Sequence, residues 1–324
     1  MNIITNPKKS DAQKSLDPEK FKNPDITAKG EKRARVYFKT LKTLWFFTGS
    51  LCNIKCINCY IDSSPTADHF VYLTPLDMAP YLDEIDALGY GKVEIAFTGG
   101  EPYMNPHIIR LCEMALERGH SLLVLTNAMK PMMRLHIQEG LMGLQARFGS
   151  AMTLRVSLDH YTKEGHNRER GANSFESVLI GLNWLSENGF SLNLAGRTIW
   201  HENEKTSREN YGKLIAQHGW SINKGSPKEL VLFPEMDAHV DTPEITTSCW
   251  GILGKSQDDI MCSNARMVVR KKGSERASVL ACTLLWDDDQ FDLGTTLKGA
   301  RAPVKLNHPH CATFCVLGGA SCSA

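Results

Sequence analysis

Three cysteines stand within eight residues of the stretch GSLCNIKCINCYIDSSP, residues 49 to 65: Cys52, Cys56 and Cys59. Soft thiolates on a short loop select zinc, copper or iron–sulfur clusters. A structural zinc site closes four ligands, usually from two separated pairs, and here no histidine follows until His69. A 4Fe–4S cluster normally takes four cysteines. With three, one iron keeps an open position, and an open position is how a metal site binds substrate or cofactor. The trio reads as a reactive cluster rather than an electron wire.

Such a loop needs a scaffold. The 324 residues suffice for one large α/β domain or two unequal ones. A hydrophobic content of 42% with 23% charged residues is that of a soluble globular protein with a real core. The net charge of +1 gives no field favouring nucleic acid or an anionic membrane, so neither is expected as a partner. No apolar run reaches about 18 residues, which excludes an evident transmembrane helix. The opening MNIITNPKKSDAQKSLDPEKF lacks the apolar core of a signal peptide. The expected location is cytoplasmic, where ten cysteines are poor candidates for structural disulfides and grouped thiols point to metal or catalysis.

Residues 1–40 are polar, mixed in charge and weakly periodic, and are expected to form a flexible or loosely docked arm. From residue 43 apolar runs suited to buried strands recur: TLWFFTG (43–49), VEIAFTG (93–99), SLLVLTN (121–127), MTLRVSLD (152–159), LNLAGRTI (192–199) and ELVLFPE (229–235). Helical stretches lie between them, several ending at a glycine (Gly89, Gly189, Gly219) that serves as a C-cap signal. Strands alternating with helices imply parallel β/α units. Six units make an α/β fold of the partial (β/α)6, TIM-like barrel kind. In β/α barrels the chemistry sits on the loops after the strands, and the cysteine loop, TGGEP (98–102), Thr126-Asn127 and SLD (157–159) all fall there. After about residue 240 the rhythm changes. ARMVVRKKGSERASVLACTLL reads as two strands around a polar turn at Gly273, and six cysteines fall between 249 and 322. The division expected is an arm (1–40), a core (41–240) and a small cysteine-rich α+β module (241–324).

The spacing C-x-x-x-C-x-x-C on the loop after strand one, with TGGEP after strand two, resembles the radical S-adenosylmethionine (radical SAM) superfamily. Gly99 and Gly100 let backbone approach a ligand closely, and Glu101 can accept from an ammonium group. The resemblance implies that Cys52, Cys56 and Cys59 hold a 4Fe–4S cluster. It also implies that Gly99, Gly100, Glu101 and Pro102 bind SAM through its amino group. Asn58 stands before the third cysteine, where family members often have an aromatic residue or histidine. VSLDHYTKEGHNRERGANSFESVLIGLNWLSENGF resembles the peptide-modifying and sulfatase-maturing branch. On that likeness Ser157 and Asp159 sit over the SAM ribose, Arg170 lies near the carboxylate or substrate, and Thr126 and Asn127 face the same cavity. Asn167 stands where the branch often has aspartate, so an ion pair is missing there. Arg197 and Asn203 are placed near the end of strand five, Arg197 to hold an anionic group or to serve the structure.

MCSNARMVV…GSERASVLACTLL and HPHCATFC resemble the SPASM and twitch modules that carry auxiliary clusters. The likeness implies a second 4Fe–4S cluster on Cys262, Cys282, Cys311 and Cys315, of the shorter, twitch-like kind. Cys249 or Cys322 can replace one ligand, His308 and His310 are further ligand candidates, and a zinc site on the same four thiols is the alternative. Cys112, in an apolar helix, reads as a core thiol.

The chemistry implied is reductive cleavage of SAM to methionine and a 5′-deoxyadenosyl radical, which takes a hydrogen atom from substrate. A flavodoxin or ferredoxin is the implied electron donor. A twitch-like module favours a peptide or protein side chain as substrate; a small metabolite is the second enzyme reading. An iron–sulfur electron carrier or redox sensor is the rival of another class, and a zinc-bearing scaffold a third.

Overall fold

The computed structural model of the chain describes residues 14–198, 200 and 202–319. A two-residue strand β1 (Arg35–Val36) precedes six strands that follow one another along the chain and lie side by side in the same order. These are β2 (Thr43–Phe47), β3 (Glu94–Thr98), β4 (Ser121–Thr126), β5 (Met152–Ser157), β6 (Ser191–Thr198) and β7 (Leu230–Pro234), paired parallel throughout. Helices α1 (Pro75–Ala87), α2 (Ile108–Glu117) and α3 (Leu135–Phe148) make the first crossovers, α4 (Lys163–Arg170) and α5 (Ser174–Glu187) the next, and α6 (Glu204–His218) the last. Helix α1 opens on a capping box between Thr74 and Asp77 with Pro75 at its first turn. The three glycines expected to end helices, Gly89, Gly189 and Gly219, take φ of +70°, +72° and +69°.

Side chains alternate across each strand, and here both faces are buried. Leu44, Phe46, Ile95, Phe97, Leu122, Val124, Leu154 and Val156 face the helices in one core. Trp45, Phe47, Ala96 and Leu123 face inward in another, with Phe70 and Met267. The inward set leads up to the strand ends where the sequence placed its chemistry.

Two expectations change. The hairpin around Gly273 forms, as β8 (Ala265–Val269) and β9 (Ser278–Leu280), but it belongs to the main sheet. Strand β8 pairs parallel with β2, Trp45 facing Met267, so the sheet has eight strands in the order β7-β6-β5-β4-β3-β2-β8-β9. With all five residues buried and four of them apolar, β8 closes the free edge that six strands alone would leave at β2.

The second concerns the arm. Residues 1–13 lie outside the described residues, but residues 14–40 are docked. Strand β1 pairs antiparallel with β10 (Val304–Lys305), and Ala34 and Val36 enter a third core with Ile260, Phe291 and Phe314. Arg33 forms a buried ion pair with Glu244, their side chains 0% and 5% exposed. Burial alone would raise the Glu244 carboxyl, but the N–H groups of Phe21 and Ala28 and the Arg33 guanidinium outweigh it and hold it below the carboxylate range. Such a group stabilises above its unfolded pKa and loses that contribution as pH falls through the folded one. Glu244→Gln is therefore expected to cost about 3–5 kcal/mol at neutral pH and progressively less below about pH 4, read from urea midpoints of both proteins across pH. No helix among the described residues is long and apolar enough to cross a membrane.

Candidate active site

The cysteine loop leaves β2 at Gly49 and is tied down along its length. Cys52 N donates to the Ser64 carbonyl at 3.0 Å, and Ile57 N to the Glu169 carbonyl at 2.9 Å. Asn58 Nδ2 donates to Glu169 Oε2 at 2.7 Å, while Arg197 donates to the Asn58 carbonyl at 2.7 Å. The asparagine that departs from the family pattern thus fastens the loop to α4, a role set by Glu169, 111 residues away.

Cys52, Cys56 and Cys59 line one cavity of about 1050 Å³, its open mouth included. Burial first, then the Glu101 carboxylate, pushes the Cys52 thiol up to about 12; burial also raises Cys56. Both are protonated at neutral pH, so a soft metal binding there displaces protons. Asn127 Nδ2 approaches Cys52 Sγ at 3.9 Å and Ser63 N donates to Cys59 Sγ at 3.4 Å. Donors at sulfur are how proteins tune iron–sulfur clusters, whose cysteines hold separate irons rather than converge on one ion. This donor set fits the cluster. Among the described residues no three His, Cys, Asp or Glu side chains converge on a single-ion site.

The glycine motif lies against this loop. Gly100 N donates to the Gly49 carbonyl at 2.8 Å and Glu101 N to the Leu51 carbonyl at 3.1 Å. Gly99 has φ +152°, and a Cβ at Gly100 would lie 2.1 Å from the Leu51 oxygen. No rotamer relieves a clash with backbone. Gly100→Ala is expected to displace the cysteine loop and weaken SAM binding by at least about tenfold, measured by equilibrium dialysis on the cluster-loaded protein.

Gly99, Gly100, Thr126, Asn127, Ser157, Asp159 and Arg170 line the cavity. Glu101 and Pro102 do not; they form the layer behind it. Glu101, 2% exposed, accepts from Thr126 Oγ1 (2.7 Å), Asn127 N (2.8 Å) and Tyr103 N (3.2 Å). Its carboxylate braces the end of β4, because burial leaves it no solvent and three internal donors reach it first. Pro102 is buried at the start of a 3-10 turn, 102–104.

Asp159 is the electrostatic centre. Arg170 binds it bidentately at 2.7 and 2.9 Å, and Arg197 Nε lies 3.5 Å away. Burial alone would raise the Asp159 carboxyl, but the two guanidinium groups outweigh it and hold it well below the carboxylate range. Arg197 also stacks over the Tyr60 ring at 4.3 Å. Asn167 accepts from Ser174 Oγ and Phe175 N at 3.0 and 2.9 Å, fastening the start of α5 by hydrogen bonds at the position where an ion pair was expected to be missing. Asn203 caps α6 by accepting from Lys205 N and is not on the cavity wall.

Several wall residues were not foreseen. Trp45, Arg155 and Phe233 point inward from β2, β5 and β7, a consequence of strand alternation that counting back from Ser157 would have caught for Arg155. Thr283, Leu284 and Phe314 come from the C-terminal segment, and no local signal marks them.

Cys262, Cys282, Cys311 and Cys315 line a second cavity of about 400 Å³ with His310, and Leu284 lines both cavities. Burial pushes Cys262 up to about 11 and raises Cys311 well above the ordinary thiol range. Arg266, 1% exposed, fixes the turn beside it by donating to the carbonyls of Cys262 (2.6 Å) and Ala300 (2.7 Å). Cys249, in α7 (Cys249–Leu253), accepts from Thr246 N and does not line this cavity; His308 does not line it either. Cys322 lies outside the described residues. Cys112 is wholly buried in the helix-facing core.

The chain is 25% identical over 194 residues to the antilisterial bacteriocin subtilosin biosynthesis protein AlbA of Bacillus subtilis, covering 58% of this chain and 41% of that one. It thus spans less than half the length of that curated relative. Among solved structures it resembles Streptococcus suis SuiB bound to S-adenosylmethionine (TM-score 0.56, 12% identity, 79% of this chain and 63% of that one). It also resembles native anSMEcpe with bound AdoMet (TM-score 0.56, 18% identity, 80% and 79%). These likenesses show a shared fold. Residues 47–209, from the end of β2 into α6, match the model of the Radical SAM superfamily, and the chain belongs to that superfamily.

Proposed function

We propose that this chain is a radical SAM enzyme that removes a hydrogen atom from a side chain of a peptide or protein. The observation that carries the reading is the cavity itself: three thiols on one wall, Ser157, Asp159, Thr126 and Asn127 around it, and a roof from the C-terminal segment. The family's 4Fe–4S cluster and SAM supply, when bound, reductive carbon–sulfur cleavage and the acceptor of the substrate hydrogen. Cys52, Cys56 and Cys59 would hold the cluster. Thr126 and Asn127 position the loop through Glu101 and Asn53, and Asp159 fixes Arg170 and Arg197 on the polar wall. Trp45, Phe233 and Phe314 exclude water.

A peptide substrate is supported by AlbA, a bacteriocin biosynthesis protein, and by SuiB, whose structure bound to precursor peptide SuiA has a TM-score of 0.58 to this chain. Residues 241–324 form the twitch-like part in this reading. Four thiols around the second cavity are the donor set of a further 4Fe–4S cluster. An external donor such as flavodoxin or ferredoxin delivers the electron, in the cytoplasm.

The test is anaerobic reconstitution with iron and sulfide, reduction, addition of SAM, and assay of 5′-deoxyadenosine beside iron content. Deoxyadenosine with about eight irons per chain supports both clusters. About four irons with activity removes the second cluster. An iron–sulfur spectrum indifferent to SAM overturns the reading in favour of an electron carrier.

A further inference from the structure

The cavity wall changes character along a continuous set of contacts. It starts at the charged centre, Asp159 with Arg170 and Arg197. Arg197 covers the Tyr60 ring at 4.3 Å, Tyr60 meets Phe233 edge-on at 6.4 Å and 89°, and Phe233 stacks on Phe314 at 5.5 Å and 29°. Leu284 completes this far wall, to which the C-terminal segment also gives Thr283 and, among the described residues, no charged side chain. Tyr60 is tied there from both sides, its hydroxyl donating to the Pro234 carbonyl at 3.1 Å and its own carbonyl accepting from Trp286 Nε1 at 3.0 Å. Three of the charges are engaged with one another: Asp159 takes the guanidinium groups of Arg170 and Arg197, and Arg197 also donates to the Asn58 carbonyl, while Arg155 lines the cavity from β5.

We infer that the group of the substrate received in this cavity is an uncharged apolar side chain, aromatic by preference, held against Tyr60, Phe233 and Leu284, with the buried Phe314 ring backing Phe233. This rests on the peptide reading above and gives it a side-chain class. A Lys or Asp side chain brought to this wall would trade its hydration for contact with Tyr60, Phe233 and Leu284, whose side chains offer it no countercharge, which is unfavourable. An aromatic ring adds apolar burial and offset or edge contacts to two rings already arranged at those angles.

The test uses the cluster-loaded full chain with SAM and no reductant, so that binding is read without turnover. The probes are the blocked tripeptides Ac-Ala-X-Ala-NH2 with X as Phe, Leu, Asp or Lys, titrated calorimetrically. Toluene, acetate and n-butylamine serve as side-chain analogues without peptide bonds. The Phe and Leu peptides are expected to bind at least about tenfold more tightly than the Asp and Lys peptides. Phe233→Leu, which keeps the wall apolar, is expected to cut the advantage of Phe over Leu by about threefold or more. Phe233→Ala should weaken both apolar peptides, with SAM affinity measured alongside to separate a lost subsite from a collapsed cavity. Asp or Lys peptides binding as tightly as the apolar ones would overturn the inference and leave the peptide reading standing. Toluene binding with no tripeptide binding would uphold the apolar subsite and overturn the peptide reading. No binding by toluene or by any tripeptide would overturn both.

Discussion

Alanine at Cys52, Cys56 or Cys59 will abolish SAM cleavage while leaving the sheet intact. The loss should be at least about a thousandfold, as for members of a catalytic unit that fail singly as they fail together. Iron content should fall by about four per chain, the complement of one cluster. The fold should survive because the loop is held by backbone and side-chain ties that do not involve sulfur: Cys52 N to Ser64, Ile57 N to Glu169, and Asn58 to Glu169 and Arg197. Cys112→Ala is the control. Its thiol is buried in the core facing the helices, so it should lower stability slightly and spare iron content. Deoxyadenosine release, iron assay and far-UV circular dichroism on the four variants decide the matter. Activity retained in any one of the loop variants would remove that cysteine from the cluster.

A large effect on stability is expected at Asp159. Asp159→Asn keeps size and shape but leaves Arg170 and Arg197, with side chains 11% and 8% exposed, as buried cations without a counter-charge. Removing one partner of a buried ion pair costs about 3–5 kcal/mol, most of it the uncompensated charge left behind. Asp159→Asn with Arg170→Gln should therefore cost less than the two changes summed, because the second change removes the charge that the first strands. The carboxyl is held well below its ordinary range, so its contribution persists above the unfolded pKa. It is lost only as pH falls through the low folded value. Urea midpoints of the single and double variants at neutral and mildly acidic pH test this. A cost under about 1 kcal/mol for Asp159→Asn would mean that solvent already screens the guanidinium groups.

Local spacing determined much of this protein. The three loop cysteines, the Gly-Gly turn, six parallel β/α units, the hairpin at Gly273 and the C-terminal glycines of the helices are short-range patterns, and the chain satisfies each within a few residues. The same local logic placed Thr126, Asn127, Ser157 and Asp159 at strand ends, where a parallel sheet must put them.

Tertiary structure decided what long-range partners decide. Glu101 looked free to bind a ligand, but Thr126 and Asn127, twenty-five and more residues on, occupy its carboxylate. Asn58 read only as a departure from the family's usual aromatic residue or histidine, and its partner, Glu169, lies far along the chain. Residues 14–40 read as loose because their apolar positions are few, yet Arg33, Ala34 and Val36 are buried by Glu244, Val304 and Phe314, which no window near residue 35 contains. Strand β8 and the roof residues Leu284 and Phe314 belong to the same class, since the side of a sheet or cavity on which a late segment lands depends on the surface left open to it. Spacing along the chain sets which chemistry is possible; burial and charge pairing between distant segments set which groups remain free to perform it.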